Sequence, residues 1–176
     1  MKKIMMTIAA AFVATAMNAQ GYIGGSVGFA SQSYDGNSTS VWSIMPEVGY
    51  NISENVAIGA VLGYGEAGKD EAKVKKFSVA PYARFTVAKL DKINVFIDGG
   101  VGYTNTKYHA YKNNTFEVGL KPGVAVNLND KLSFVTHFGF LGYSNSKDDT
   151  EGAKALNTFG FNLDGNNLTF GLYYNF

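Results

Sequence analysis

Residues 77–87 read Phe77-Ser78-Val79-Ala80-Pro81-Tyr82-Ala83-Arg84-Phe85-Thr86-Val87. The odd positions are apolar throughout. The even positions carry small or polar groups, one tyrosine and one arginine. A period of two sends successive side chains to opposite faces of a strand, so this stretch predicts a β-strand with one wholly apolar face. Residues 23–29, 42–50, 58–64, 93–103, 116–128, 132–140 and 168–176 alternate in the same way. In the seventh of the eight segments, Leu132, Phe134, Phe138 and Phe140 fall on the apolar face against Ser133, His137 and Gly139.

The apolar face carries no charge in any segment. The mid-strand charges Glu47, Arg84, Asp98, Glu117 and Lys121 all fall on the other face. Three features place the apolar face outside, against lipid. The opposite face is mostly Gly, Ala, Ser and Thr, which suits a narrow lumen filled by small side chains. Neither face holds enough charge for the exterior of a soluble barrel. Aromatic residues gather on the apolar face near both strand ends: Trp42, Tyr64, Phe77, Tyr103 and Phe116 at one, Tyr50, Phe85, Phe134 and Tyr174 at the other. Two such girdles are selected at membrane interfaces. The expected fold is all-β: an eight-stranded antiparallel up-and-down transmembrane β-barrel.

The remaining composition agrees. Charged residues make up 16%, below the ~25% usual in soluble domains, and mean hydropathy is −0.04. There is no cysteine, so no disulfide holds the chain. The start reads as a secretory signal peptide over 1–19, ahead of one barrel domain over 20–176. Lys2 and Lys3 precede the apolar run Ile4 to Ala16, and Met17-Asn18-Ala19 ends in a small residue before Gln20. That run is too short for a membrane span. Cleavage near Ala19 removes two lysines and turns the net charge of +1 slightly negative, so no polyanionic partner is implied.

Connections alternate in length. Residues 51–55, 88–92 and 129–130 are short; 34–40, 66–74, 105–114 and 144–157 are longer and polar. Barrels keep tight turns on the periplasmic side and long loops outside. Residues 158–163 alternate out of phase with Leu168. An irregularity at Asp164-Gly165-Asn166-Asn167 would make them an upward extension of strand eight; the alternative is an extra hairpin and a larger barrel.

Three downward strands repeat one another, with Pro46, Pro81 and Pro122 at one equivalent place. Proline gives no ladder hydrogen bond, so its recurrence predicts a local kink repeated around the barrel. Here the chain resembles the small outer-membrane β-barrel proteins common in Bacteroidota, within the broader OmpA/OmpX-like group. The residues that carry the resemblance are Pro46-Glu47-Val48-Gly49-Tyr50 with Asn55-Val56-Ala57-Ile58-Gly59, then Pro81-Tyr82-Ala83-Arg84-Phe85, Lys121-Pro122-Gly123 and the closing residues 170–176. The resemblance implies a fold and a place, the outer membrane of a Gram-negative bacterium, and little chemistry. It also implies that Phe170, Leu172, Tyr174 and the terminal Phe176 form the signal read by the barrel-assembly machinery, with periplasmic chaperones as partners during biogenesis.

Glu47, Arg84, Asp98, Glu117, Lys121 and His137 are candidates for one lumen network. Arg84 is expected to pair with Asp98, with Glu47 nearby, because charges inside a narrow barrel are tolerable only when paired. Such a network is either a structural plug or the selectivity element of a narrow pore. His137 is also weighed as a catalytic base. A lipid A deacylase of similar size keeps its serine two residues after its histidine, where this chain has Gly139, and Ser144 lies in a loop. No enzyme activity is therefore expected, and no cofactor. No metal site is expected either, with two histidines, no cysteine and no paired carboxylates. Asp148, Asp149 and Glu151 read as a solvated acidic loop. Residues 69–76 read as an outer loop that meets lipopolysaccharide phosphates. No nucleic-acid groove is present. The expected role is a monomeric barrel in outer-membrane lipid and lipopolysaccharide, acting through its surface loops on an unidentified ligand. A narrow pore and a lipid-modifying enzyme are the alternatives.

Overall fold

The computed structural model describes residues 20–34, 37–68, 73–109, 111–150, 152–162 and 169–176. The signal peptide expected over 1–19 lies outside them. All regular structure among the described residues is β. The strands are β1 (Gly21–Tyr34), β2 (Asn37–Asn51), β3 (Val56–Ala67), β4 (Val74–Leu90), β5 (Ile93–Tyr108), β6 (Tyr111–Asn127), β7 (Leu132–His137), β8 (Phe140–Asp148), β9 (Leu156–Asn162) and β10 (Thr169–Asn175).

These ten strands make eight staves. β7 and β8 are the lower and upper halves of the seventh, both lying against β6. β10 and β9 are the lower and upper halves of the eighth, against β7 and β8. β10 also pairs with β1, Tyr22 opposite Asn175, which closes an antiparallel barrel. Residues 158–162 thus lie on the eighth stave, and no extra hairpin is formed among the described residues. The link at Asp164 to Asn167 lies outside the described residues.

The alternating faces sort as the sequence pattern requires. Val27 is 80% exposed and Phe29 78% on the outside, while Tyr22, Phe96 and Tyr173 are buried within. One face assignment fails. Phe140 does not share the outer face with Phe134; its ring lies in the lumen beside Lys121. Gly139 takes a left-handed φ of 94°, and the register against β6 shifts by one residue between Gly123 opposite His137 and Leu120 opposite Leu141. A one-residue bulge reverses every side chain beyond it. Leu141 and Tyr143 therefore face outward in the upper half.

The recurrent prolines explain themselves in the ladders. Pro46 pairs with Gly25 and Pro81 with Ala60, each toward the preceding strand. Toward the following strand the ladder skips a step: between Ile44 and Glu47 on β2, and between Val79 and Tyr82 on β4. Pro122 pairs with Ile97 and faces the bulge on the seventh stave, where the Phe138 N–H donates to its carbonyl at 3.1 Å. Each proline thus turns its missing donor to the next stave, at a gap.

The stretches expected to be polar loops are partly strand. β5 and β6 stay paired up to Tyr108 opposite Tyr111, and Ser144 pairs with Thr158. Polar side chains there do not interrupt the ladder, because beyond the hydrocarbon both faces meet polar surroundings.

Candidate functional site

The lumen is crossed at one level by a cluster of charged and aromatic side chains. Arg84 of β4 stands opposite Asp98 of β5. Its Nε donates to Asp98 Oδ1 at 2.7 Å and its Nη2 to Asp98 Oδ2 at 2.8 Å, the planar fork that suits a carboxylate. Nη2 also donates to Glu47 Oε1 of β2 at 3.3 Å. His137, ending β7, places Nε2 2.8 Å from Asp98 Oδ2. The carboxylate only accepts, so this nitrogen carries the proton.

Three tyrosines complete the polar set. Tyr82 and Tyr173 both donate to Glu47. The hydroxyls of Tyr22 and Tyr82 are 2.7 Å apart, and Tyr82 has its one proton on Glu47, so Tyr22 donates to Tyr82. Glu47, Asp98 and Arg84 are only 4%, 6% and 9% exposed. The guanidinium lies 4.0 Å from the centroid of the Phe96 ring, with the Tyr82, Tyr22 and Tyr173 rings farther out. These faces favour a cation in a desolvated place.

The rings fit because glycines make room. Tyr22 stands opposite Gly49, Tyr82 opposite Gly59, Phe96 opposite Gly123, and Tyr173 opposite Gly24. In each pair the ring occupies the space that a Cβ on the glycine would take. Aromatic covering of strand glycines is a recurrent way to pin register.

The cluster separates two cavities. The upper one, of about 730 Å³, is lined by Glu47, Tyr82, Asp98, His137 and Tyr173 at its floor. The lower one, of about 990 Å³, opens among the short turns and has Tyr22, Arg84, Phe96 and Tyr173 at its roof.

The structure brings together four of the six candidate network residues: Glu47, Arg84, Asp98 and His137. Glu117 and Lys121 stand apart, a correction to the single-network reading. Both line the upper cavity. Among the described residues, neither is joined to the cluster by a hydrogen bond or ion pair. Lys121 sits opposite Asp98 in register, but its ammonium lies 5.7 Å from the Phe140 ring centroid instead. The bulge that turned Phe140 inward accounts for this. Sequence reasoning missed Tyr22, Tyr82, Phe96 and Tyr173 as members. The available signal was bulky aromatics on a face otherwise made of glycine and hydroxyl residues. Phe170, Leu172, Tyr174 and Phe176 line one outward stripe, 37–54% exposed. Among the described residues no group of three His, Cys, Asp or Glu side chains is arranged to hold a metal.

An eight-stave wall, apolar outside and charged within, defines a small integral outer-membrane barrel. The chain belongs to the outer membrane protein beta-barrel domain family, whose sequence pattern matches residues 4–176. It accordingly resides in the outer membrane of a Gram-negative bacterium. No curated protein matches the chain in sequence. Among solved structures it is similar to Neisserial surface protein A (NspA), with 12% identity and a TM-score of 0.53, covering 89% of this chain and 97% of that one. At that identity the likeness concerns the fold. The translocator domain of the autotransporter NalP from Neisseria meningitidis aligns over 91% of this chain and 66% of that one, with 13% identity and a TM-score of 0.42.

Proposed function

We propose that the protein is a closed, non-catalytic barrel that holds its extracellular hairpins at the cell surface as an interaction surface. The observation that carries this reading is the plug. Arg84, Asp98, Glu47 and His137, packed with four aromatic rings, fill the cross-section between the two cavities. Each acid is held by a cation or by hydroxyl donors, so little drives the cluster to open.

The hairpins support the surface role. β5 and β6 run past the aromatic girdle to a tip where Tyr108 and Tyr111 are 44% and 66% exposed. Absence of catalysis rests on His137, whose ring nitrogen is held by Asp98, and on Gly139 standing where a serine partner would be needed. The outward stripe of Phe170, Leu172, Tyr174 and Phe176 suits recognition by assembly machinery in the periplasm.

The test is single-channel conductance of refolded mature protein in a planar bilayer, once heat-dependent gel mobility has shown folding. Silence supports the closed scaffold. Reproducible steps that change when Asp98 is replaced by Asn would replace it with a narrow pore.

A further inference from the structure

Three lysines stand abreast on the lipid-facing side of the barrel. Lys75 of β4 is directly opposite Lys107 of β5, and Lys107 is directly opposite Lys112 of β6. All three share the outward phase of Phe77, Tyr103 and Phe116, and all three are exposed. Like charges facing each other across a ladder are destabilising, so one such pair is unusual and two in succession call for a counter-charge.

The chain supplies it at the two ends of the row but, among the described residues, not in the middle. Glu66 lies 3.8 Å from Lys75 and 3.9 Å from Lys73, and Asp149 lies 3.8 Å from Lys112. Lys107, in the middle, has no ion pair among the described residues. Lys147, also exposed and opposite Asn114, adds a fourth ammonium beside the row. Asp70 and Glu71 of the neighbouring hairpin lie outside the described residues.

Height decides the partner. Lys75 is two residues beyond Phe77, and Lys107 and Lys112 are four beyond Tyr103 and Phe116. At ~3.3 Å per residue, that is roughly 7 to 13 Å along tilted strands above the aromatic girdle. The girdle marks the edge of the hydrocarbon, so the row sits among headgroups, on the face a lipid touches. Asn105 and Asn114, between girdle and lysines, share a hydrogen bond of 2.7 Å, and the Tyr103 hydroxyl donates to the same Asn114 oxygen at 2.8 Å. This polar shelf holds β5 and β6 together beneath the charges.

We infer that Lys75, Lys107 and Lys112 bind the phosphate of an outer-leaflet lipid headgroup. This goes beyond the surface role proposed above and is independent of whether the plug conducts. Each lysine beside an anionic surface changes affinity about fivefold, so removing three should weaken headgroup binding by roughly a hundredfold.

The experiment places refolded protein in nanodiscs of phosphatidylcholine containing a minor fraction of phosphatidic acid, and counts the lipids it retains by native mass spectrometry. The variants are K75Q/K107Q/K112Q and, as a control of equal charge change at the opposite end, K89Q/K92Q/K131Q. Retention of phosphatidic acid by wild type and control, with loss from the outer-row variant and no displacement by excess inorganic phosphate, supports the site. Equal retention by the outer-row variant overturns it. Displacement by inorganic phosphate also overturns it, in favour of a free-anion site. In pure phosphatidylcholine the single variant K107Q should melt no lower than wild type, because Lys107 has no ion pair among the described residues and faces a lysine on either side. A lower melting point there would mean Lys107 is satisfied within the protein, and would sink the inference.

Discussion

Replacing Arg84 by Ala should cost the fold about 4 kcal/mol at pH 7. The guanidinium donates two hydrogen bonds to Asp98 and one to Glu47, and it rests over Phe96. Its removal leaves two buried carboxyl groups without their cation, Asp98 with only His137 and Glu47 with only the Tyr82 and Tyr173 hydroxyls. Deleting one partner of a buried ion pair typically costs ~3–5 kcal/mol. The alternative open to the folded variant is to protonate a carboxyl. From an unperturbed pKa near 4, that costs about 4 kcal/mol at pH 7, at ~1.4 kcal/mol per unit. The two routes agree, and the second depends on pH. The folded variant takes up a proton that its unfolded chain does not bind at pH 7, so its stability rises as pH falls. At pH 5 the protonation cost drops to roughly 1.4 kcal/mol, and the deficit against wild type should shrink accordingly. Trp42 is the one tryptophan and packs against Tyr64 on the outer face, so its fluorescence follows urea unfolding in lipid vesicles. Replacing the charges together, as Arg84→Met with Asp98→Asn and Glu47→Gln, should recover much of the loss, because the penalty comes from stranded charge. A deficit under ~1 kcal/mol at pH 7, or one unchanged at pH 5, would refute the reasoning.

Other expectations follow from the same geometry. Gly49→Ala and Gly123→Ala each drive a Cβ into the Tyr22 or Phe96 ring, and should cost ~1–3 kcal/mol by overpacking; Gly160→Ala, with open space around it, should cost far less in the same urea titration. Above the girdle, the Tyr64 hydroxyl donates to Glu66 at 2.7 Å, and this bond, with Lys73 and Lys75 beside it, holds the carboxyl below its usual range. An NMR titration should show the Glu66 midpoint below the ordinary value, and Tyr64→Phe should raise it. Because the folded value is the lower one, this contact supports the hairpin above the ordinary carboxylate range and is lost as pH falls through the folded midpoint. Gly139→Ala places a Cβ at a left-handed φ and should lower the melting temperature.

Much of the wall was legible because a half-buried strand writes its two faces at alternate positions. Phe77 to Val87 already shows which way Arg84 points, and the run from Ile93 to Tyr103 shows the same for Asp98. A short turn joining the two segments also makes them neighbours. Two features were not legible. The bulge at Gly139 adds one residue to one strand, and nothing local separates a glycine that bulges from one that merely fills a small inner position. The alternation consequently places Phe140 outside, and it counts Lys121 among candidates for a network that its ammonium does not join. The polar hairpin ends were read as loops because alternation fades where both faces are wet, yet Lys107 opposite Lys112 and Asn105 opposite Asn114 keep a continuous ladder.

The plug shows what a knowledge of register adds to a knowledge of faces. On the inner face, glycine and aromatic residues look like opposite choices, one leaving room and the other taking it. Register shows that they are one choice made across two strands. Tyr22, Tyr82, Phe96 and Tyr173 each lie over the glycine directly opposite. The paired rings lie over the flattened wall and leave the axis to the guanidinium and its acids. A lumen this narrow therefore holds an arginine, two carboxylates and a histidine at one level, because the bulk around them has been moved onto backbone that carries no side chain. The charges supply directional bonds, and the glycine–aromatic pairs fix where those bonds are made. Moving any one pair by a single residue would turn its ring outward to lipid and thin the partition between the two cavities.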